Sequence, residues 1–254
     1  MRSARVVRWG VAVVVGASAL ALTCTLTRLS AGAAEVSAPP SPDEVRTTYL
    51  RDCATCHGSE GRGTNRGPSI VGVGRASVDY MVSTGRMPID NPDEKLHRRK
   101  PAYGPAMRRA LVDYVGRFGF GGVDIPVVQL RGADIADGGE LFRLHCAACH
   151  SWAGEGGALL HREAPTLRQS TATQIAEAVR VGPGGMPAFG SAALDDRQLA
   201  TVVAYVRSLR HPRDRGGLSL WHLGPLPEGA VAWIIGIGLL VLATQWIGER
   251  NPRA

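Results

Sequence analysis

The chain has little with which to build a large apolar core of its own. Aromatic residues make up only 6% of its 254 residues. No stretch alternates apolar and polar residues for long enough to read as a strand, and no βαβ pattern is present to frame a thioredoxin-like site. Acidic residues are missing before Glu35. Cysteine is sparse: of five, four fall in two short motifs, which leaves Cys24 without a partner in the chain and excludes a disulfide framework. Glycine and proline are plentiful, 32 and 16 residues, and suit long irregular loops wrapped around a bound group.

The two motifs are Cys53-Ala54-Thr55-Cys56-His57 and Cys146-Ala147-Ala148-Cys149-His150. Cys-x-x-Cys-His is the attachment signature of a c-type haem. Covalent capture needs two thiols for the two vinyl groups and a nitrogen for the iron. On a helix, residues at i, i+3 and i+4 share a face, which Cys53, Cys56 and His57, and likewise Cys146, Cys149 and His150, satisfy. A zinc ribbon would place its cysteine pairs roughly 15–20 residues apart, and Cys56 and Cys146 lie much further apart than that. Two covalently bound haem c groups are therefore expected.

A second axial ligand is sought among five methionines. Met87 in Gly85-Arg86-Met87-Pro88 and Met186 in Gly184-Gly185-Met186-Pro187 recur at matching places after the two histidines. Proline removes a donor and restricts the preceding residue, which favours an extended loop around each methionine. His57, Met87, His150 and Met186 are thus the expected iron ligands. Met81 reads as core and Met107 has no counterpart, while His97, His145 and His161 read as solvent-facing or hydrogen-bonded.

The halves align beyond these motifs. Gly67-Pro68-Ser69-Ile70 echoes Ala164-Pro165-Thr166-Leu167, and Ala110 to Val115 echoes Ala200 to Val206. Each half reads as a helix bearing the cysteine motif, a long loop with proline, a methionine loop and a terminal helix. Ser41-Pro42-Asp43-Glu44 predicts a capping box with Pro at the first helical position. Asp195-Asp196-Arg197-Gln198 is similar, and the stripe Leu199, Val202, Val203, Val206 and Leu209 has helical period. At roughly 80–90 residues each half is marginal for an independent core, and a bound haem would supply the missing apolar centre.

Arg2, Arg5 and Arg8 precede an apolar run from Trp9 to about Thr27. This predicts a signal peptide, with Ala31-Gly32-Ala33 as a cleavage site, or an uncleaved signal anchor. A second run, Ala230 to Gly248, carries no charge and would extend about 28 Å as a helix. Trp233 and Trp246 lie near its two ends, as interfacial anchors do. A membrane span is predicted here, with Arg250 and Arg253 cytoplasmic and both haem segments on the extracytoplasmic side. The net charge of +7 does not point to nucleic acid. Four arginines in residues 1–34 supply much of it, and residues 126–212 carry eight basic and eight acidic groups. Lys95, Arg98, Arg99 and Lys100 form one basic cluster, read as a solvated loop, with docking to an acidic partner as the other possibility.

The whole chain resembles the diheme cytochrome c subunit of the bacterial menaquinol–cytochrome c reductase, the cytochrome bcc complex. The resemblance rests on Ser83 to Pro88, on Gly138 to Leu144 leading into Cys146, and on Gly182 to Pro187. It rests most on Gly224-Pro225-Leu226-Pro227-Glu228-Gly229 followed by Trp233-Ile234-Ile235-Gly236 and Trp246-Ile247-Gly248. It implies a mainly α fold of two tandem class I cytochrome c domains, at 38–124 and 130–212. A signal segment at 1–34, a linker at 213–229, a transmembrane helix at 230–248 and a cytoplasmic tail at 249–254 complete the chain. It also implies electron transfer from a Rieske iron–sulfur subunit to the first haem and from the second haem to a cytochrome c oxidase, beside a cytochrome b subunit. No catalytic acid, base or nucleophile is expected. The haem motifs alone would equally suit a diheme subunit of a cbb-type oxidase or a membrane alcohol dehydrogenase. A diheme peroxidase would need an open coordination position, which the paired methionines oppose.

Overall fold

A computed structural model describes residues 38–157, 164–210 and 225–249. The N-terminal segment 1–34 with Cys24, His161, the linker from residue 213 to 224 and the tail from residue 250 lie outside the described residues. The described chain is helical and contains no strand. In the first half, α1 (Pro42–Asp52), α2 (Ala54–His57), α3 (Arg75–Ser83) and α4 (Pro105–Gly116) follow one another. In the second come α5 (Ile135–His145), α6 (Ala147–His150), α7 (Ala172–Val181) and α8 (Asp196–Ser208), and α9 (Pro225–Glu249) stands apart at the end.

Local chemistry starts and stops these helices. Pro42 opens α1, and Ser41 Oγ accepts from the Glu44 backbone N–H at 3.2 Å. The other half of the expected capping box, from Ser41 N–H to the Glu44 side chain, does not form. The box at α8 is complete: Asp195 accepts from Gln198 N–H at 2.8 Å, and Gln198 Oε1 accepts from Asp195 N–H at 2.9 Å. A second complete box, Thr171 with Gln174, opens α7. Helices α3 and α7 lie between the cysteine motif and the methionine loop, where the sequence reads as loop. Helix α3 starts without a side-chain cap, whereas α7 carries a capping box and an apolar face of Ile175, Ala176 and Val179 that the long-loop reading misses.

The cysteine motifs do not lie on one continuous helix. Cys53 and Cys146 share a broken conformation, φ −121° in both, and separate α1 from α2 and α5 from α6. The face is kept by one helical turn, because His57 N–H reaches Cys53 O and His150 N–H reaches Cys146 O, both at 2.9 Å.

Each half buries its own apolar cluster. Val45, Tyr49, Leu111 and Val115 join α1 to α4. A larger cluster built on Phe142, Ile175, Leu194, Val202, Val203 and Val206 joins α5, α7 and α8. The predicted stripe of α8 is thus buried, with Leu209 packed beside it. Helix α5 meets α8 backbone to backbone, because a Cβ on Gly138 would collide with the Thr201 carbonyl. Across the halves, α3 packs against α7. Helix α9 has 25 residues, about 37 Å of rise. From residue 227 on it is apolar and unburied, with Trp233 72% and Leu239 62% exposed, as suits a helix whose solvent is lipid.

Candidate functional site

The structure gathers the expected ligands into two cavities. Cys53, Cys56, His57 and Met87 line one of about 220 Å³, together with Pro68 and Leu96. Cys146, Cys149, His150 and Met186 line another of about 670 Å³, together with Pro165 and Phe189. All four cysteines are free of disulfides. Burial first, then neighbouring negative groups, pushes the Cys53 and Cys146 thiols up to about 11. Such buried thiols are unlike the exposed, low-pKa thiolate of a dithiol redox pair.

Both histidines are held the same way. His57 Nδ1 lies 2.8 Å from Pro68 O, and His150 Nδ1 lies 3.0 Å from Pro165 O. A carbonyl only accepts, so Nδ1 carries the proton and Nε2 keeps its lone pair for a metal. Such a bond to the far nitrogen is how a ligating imidazole is oriented. His150 is 7% exposed, and burial holds its pKa below the ordinary value, which favours the neutral imidazole. A packing contact sets the first motif against its loop: a Cβ on Gly67 would sit 2.8 Å from Cys56 O.

The methionine loops are fixed from outside. Met87 N–H and Arg86 N–H both reach Met81 O, at 3.1 and 3.0 Å, and Arg99 N–H ties Thr84 O at 3.1 Å. The Met87–Pro88 peptide is cis. In the second half Gly182 ends α7 in the left-handed region and Phe189 N–H returns to Val179 O at 2.8 Å. Arg180 then clamps the loop's exit, donating to Phe189 O at 2.9 Å, Leu194 O at 2.6 Å and Asp196 Oδ1 at 2.7 Å.

The donor chemistry fits a covalently attached haem at both places: two thiols, one imidazole with its lone pair free, and one thioether. The second cavity is of cofactor size, within roughly 300–1,000 Å³. The first is smaller. Among the described residues, no three His, Cys, Asp or Glu side chains converge on a bare metal ion.

Several wall residues escape the sequence reading. Tyr80, Met81, Arg86, Leu96 and Arg98 of the first half line the second cavity, and Leu96 lines both. Met81 is therefore not core but half-buried at a cavity wall. Met107 packs on the first apolar cluster. His97 and His145 are exposed, as expected. The basic cluster is not one solvated loop. Arg98 Nη2 crosses to Ser170 Oγ and Gln174 Oε1, each at 3.0 Å. Arg99 Nη2 forms an ion pair with Glu94 Oε1 at 2.6 Å. Burial, then repulsion from Arg86, pulls Arg98 below its ordinary pKa. The only local signal for this was the position of Arg86 next to Met87.

The same α3–α7 contact buries Glu177 completely. No donor reaches either of its carboxyl oxygens. Burial, together with the Asp79 carboxyl across the contact, pushes its pKa up to about 9, so it is protonated at neutral pH and becomes a donor toward Asp79.

The chain is similar to several known proteins. A family model described as "Cytochrome C oxidase, cbb3-type, subunit III" matches residues 133–206. The cytochrome bc1 complex cytochrome c subunit of Corynebacterium diphtheriae is 36% identical over 226 residues, covering 82% of this chain and 80% of that protein. Its counterpart in Mycobacterium tuberculosis is 37% identical and covers 82% and 81%. Cytochrome c6 of Leptolyngbya boryana is 40% identical over 78 residues, 29% of this chain and 91% of that protein.

Proposed function

The chain belongs to the family of cytochrome bc1 complex cytochrome c subunits, and on that premise we propose that it is a diheme electron carrier between a Rieske iron–sulfur subunit and a cytochrome c oxidase. Its working parts are two tandem class I cytochrome c domains, 38–124 and 130–212, on the extracytoplasmic side of the membrane. Helix α9 is the anchor beside cytochrome b, and segment 1–34 is the export signal.

The observation that carries this reading is the repeated site, in which two free cysteines, a histidine tethered through Nδ1 and a methionine loop occur in each half. Cys53 and Cys56, and Cys146 and Cys149, would hold each macrocycle by thioethers. His57 and Met87, and His150 and Met186, would take the iron. When bound, haem supplies one-electron cycling between Fe(III) and Fe(II). The chain's part is to tune and position that group. Histidine–methionine ligation raises the potential, and the Pro68 and Pro165 carbonyls fix the imidazoles. No acid, base or nucleophile is required of it.

The match over 133–206 favours a second reading, an electron-transfer subunit of a cbb-type oxidase. It touches only the second half, whereas the cytochrome bc1 relatives run through most of the chain. Purification of the full-length chain from its own membrane in mild detergent separates the two. Cytochrome b and Rieske subunits should co-purify, with two haems per chain by pyridine haemochrome. Truncation after Leu223 should release a soluble protein with normal spectra that no longer brings down cytochrome b. An oxidase core without cytochrome b in the full-length preparation would refute the proposal.

A further inference from the structure

The second cavity has a wall that the second half does not supply. Arg86 and Arg98, both from the first half, line it. Arg86 is 7% exposed, its guanidinium lies 4.9 Å over the Tyr80 ring, and its Nη1 is buried with no hydrogen-bond partner. Arg98 reaches the same wall and is steadied there by Ser170 and Gln174, both neutral. Among the described residues, no carboxylate forms an ion pair with either arginine. Two neighbouring cations, one with a buried and unmet donor, are costly to fold without a counter-ion. The anion they lack belongs in the cavity they face.

We infer that Arg86 and Arg98 bind the carboxylate side chains of the haem carried by Cys146 and Cys149, so that the first half completes the cofactor site of the second. This rests on the reading of that cavity as a haem site. A haem brings two propionates, and the planar guanidinium fork suits a carboxylate. The consequence is electrostatic. Positive charge beside the macrocycle opposes the extra positive charge of the ferric state, so the pair raises the potential of the second haem and not that of the first.

The test uses the full-length chain in its membrane complex. Arg98→Gln and Arg86→Gln are compared with wild type by pyridine haemochrome and by redox titration of each haem. Two haems per chain should remain in R98Q, the first haem's potential should hold, and the second haem's potential should fall. R86Q should lower the second as well. R98K, which keeps the charge, should stay closer to wild type than R98Q. An unmoved second potential in both Gln variants overturns the inference, as does an equal fall at both haems in R98Q. An R98K shift as large as that of R98Q also overturns it, because packing rather than charge would then be responsible. One haem per chain in wild type would instead refute the two-haem reading beneath it.

Discussion

Four residues before the first cysteine of each motif stands a fully buried ring, Tyr49 in the first half and Phe142 in the second. Each meets a tyrosine of the long helix that closes its half. Tyr49 with Tyr114 and Phe142 with Tyr205 both have centroids 5.3 Å apart at an interplanar angle of 47°. Eight residues before the cysteine the halves diverge. Val45 fills its place with a buried side chain, whereas Gly138 brings backbone against the Thr201 carbonyl. The cavities diverge too, at about 220 and 670 Å³, and the larger one borrows part of its wall from the other half. The two halves share the proposed ligand frame and the ring beneath it, while the surroundings differ. The frame is set by atoms close in sequence, and the walls by whatever packs against it.

Substitutions at Met87, Met186, Gly138, Glu177 and Tyr49 would break or sharpen this contrast. The largest effect should come from the ligands. Met87→Ala and Met186→Ala should each lower the potential of one haem by a substantial part of the roughly 0.8 V that axial ligation spans, with covalent attachment intact by mass. Redox titration with optical spectra checks this, and a variant with native potential would remove its methionine from the ligand set. Without mutation, the second haem should have the higher potential, because its histidine is buried and its cavity carries two arginines.

Next is the helix crossing. Gly138→Val installs the residue of the first half in the second. It should destabilise by about 1–3 kcal/mol or more, since overpacking against backbone cannot relax through a side chain. Denaturant unfolding measures it, and a neutral result would show that α5 and α8 can part freely.

Glu177→Gln probes the contact between the halves. Glu177 has its pKa raised from 4.5 to about 9 on folding. Between those values the folded protein keeps a proton that the unfolded chain releases, so stability falls as pH rises through the window. The glutamine variant should lose that pH dependence. It should gain on the order of 1–3 kcal/mol at the alkaline end, the scale of an unmet buried polar group. Unfolding followed from pH 5 to pH 9 tests this, and parallel curves for the two proteins would refute it.

The smallest effect converts one ring into the other. Tyr49 Oη donates to Gly58 O at 2.7 Å. Tyr49→Phe should therefore cost about 0.5–1.5 kcal/mol with little change in either potential. A loss well above that range would give the hydroxyl a larger part than one hydrogen bond.

Much of the proposed ligand frame could be read before any fold was known. Cys-x-x-Cys-His fixes its own geometry through one helical turn, and Asp195 with the stripe from Leu199 to Val206 announces α8 by local capping and period. The break at Cys53 and Cys146 could not be read, because a motif that needs one helical turn looks the same within a long helix or after its end. Helix α3 was hidden because it starts without a side-chain cap, whereas α7 was legible in Thr171 and Gln174, which the long-loop reading passes over. Arg98 was hidden by its neighbours: four cations within six residues look like a solvated loop, and only the docking of α3 on α7 turns one of them inward.

The sequence by itself determined the chemistry: which thiols, imidazoles and thioethers recur, that the chain is helical, and that its last helix is apolar enough for a membrane. Those properties depend on spacing within a turn or on the composition of one segment. Only the tertiary structure decided how large each cavity is and which half walls it. It also placed Glu177 against Asp79 and aimed Arg86 and Arg98 into a site whose cysteines lie in the other half. Such contacts join residues far apart in the chain, and burial sets their energies, so no local pattern encodes them.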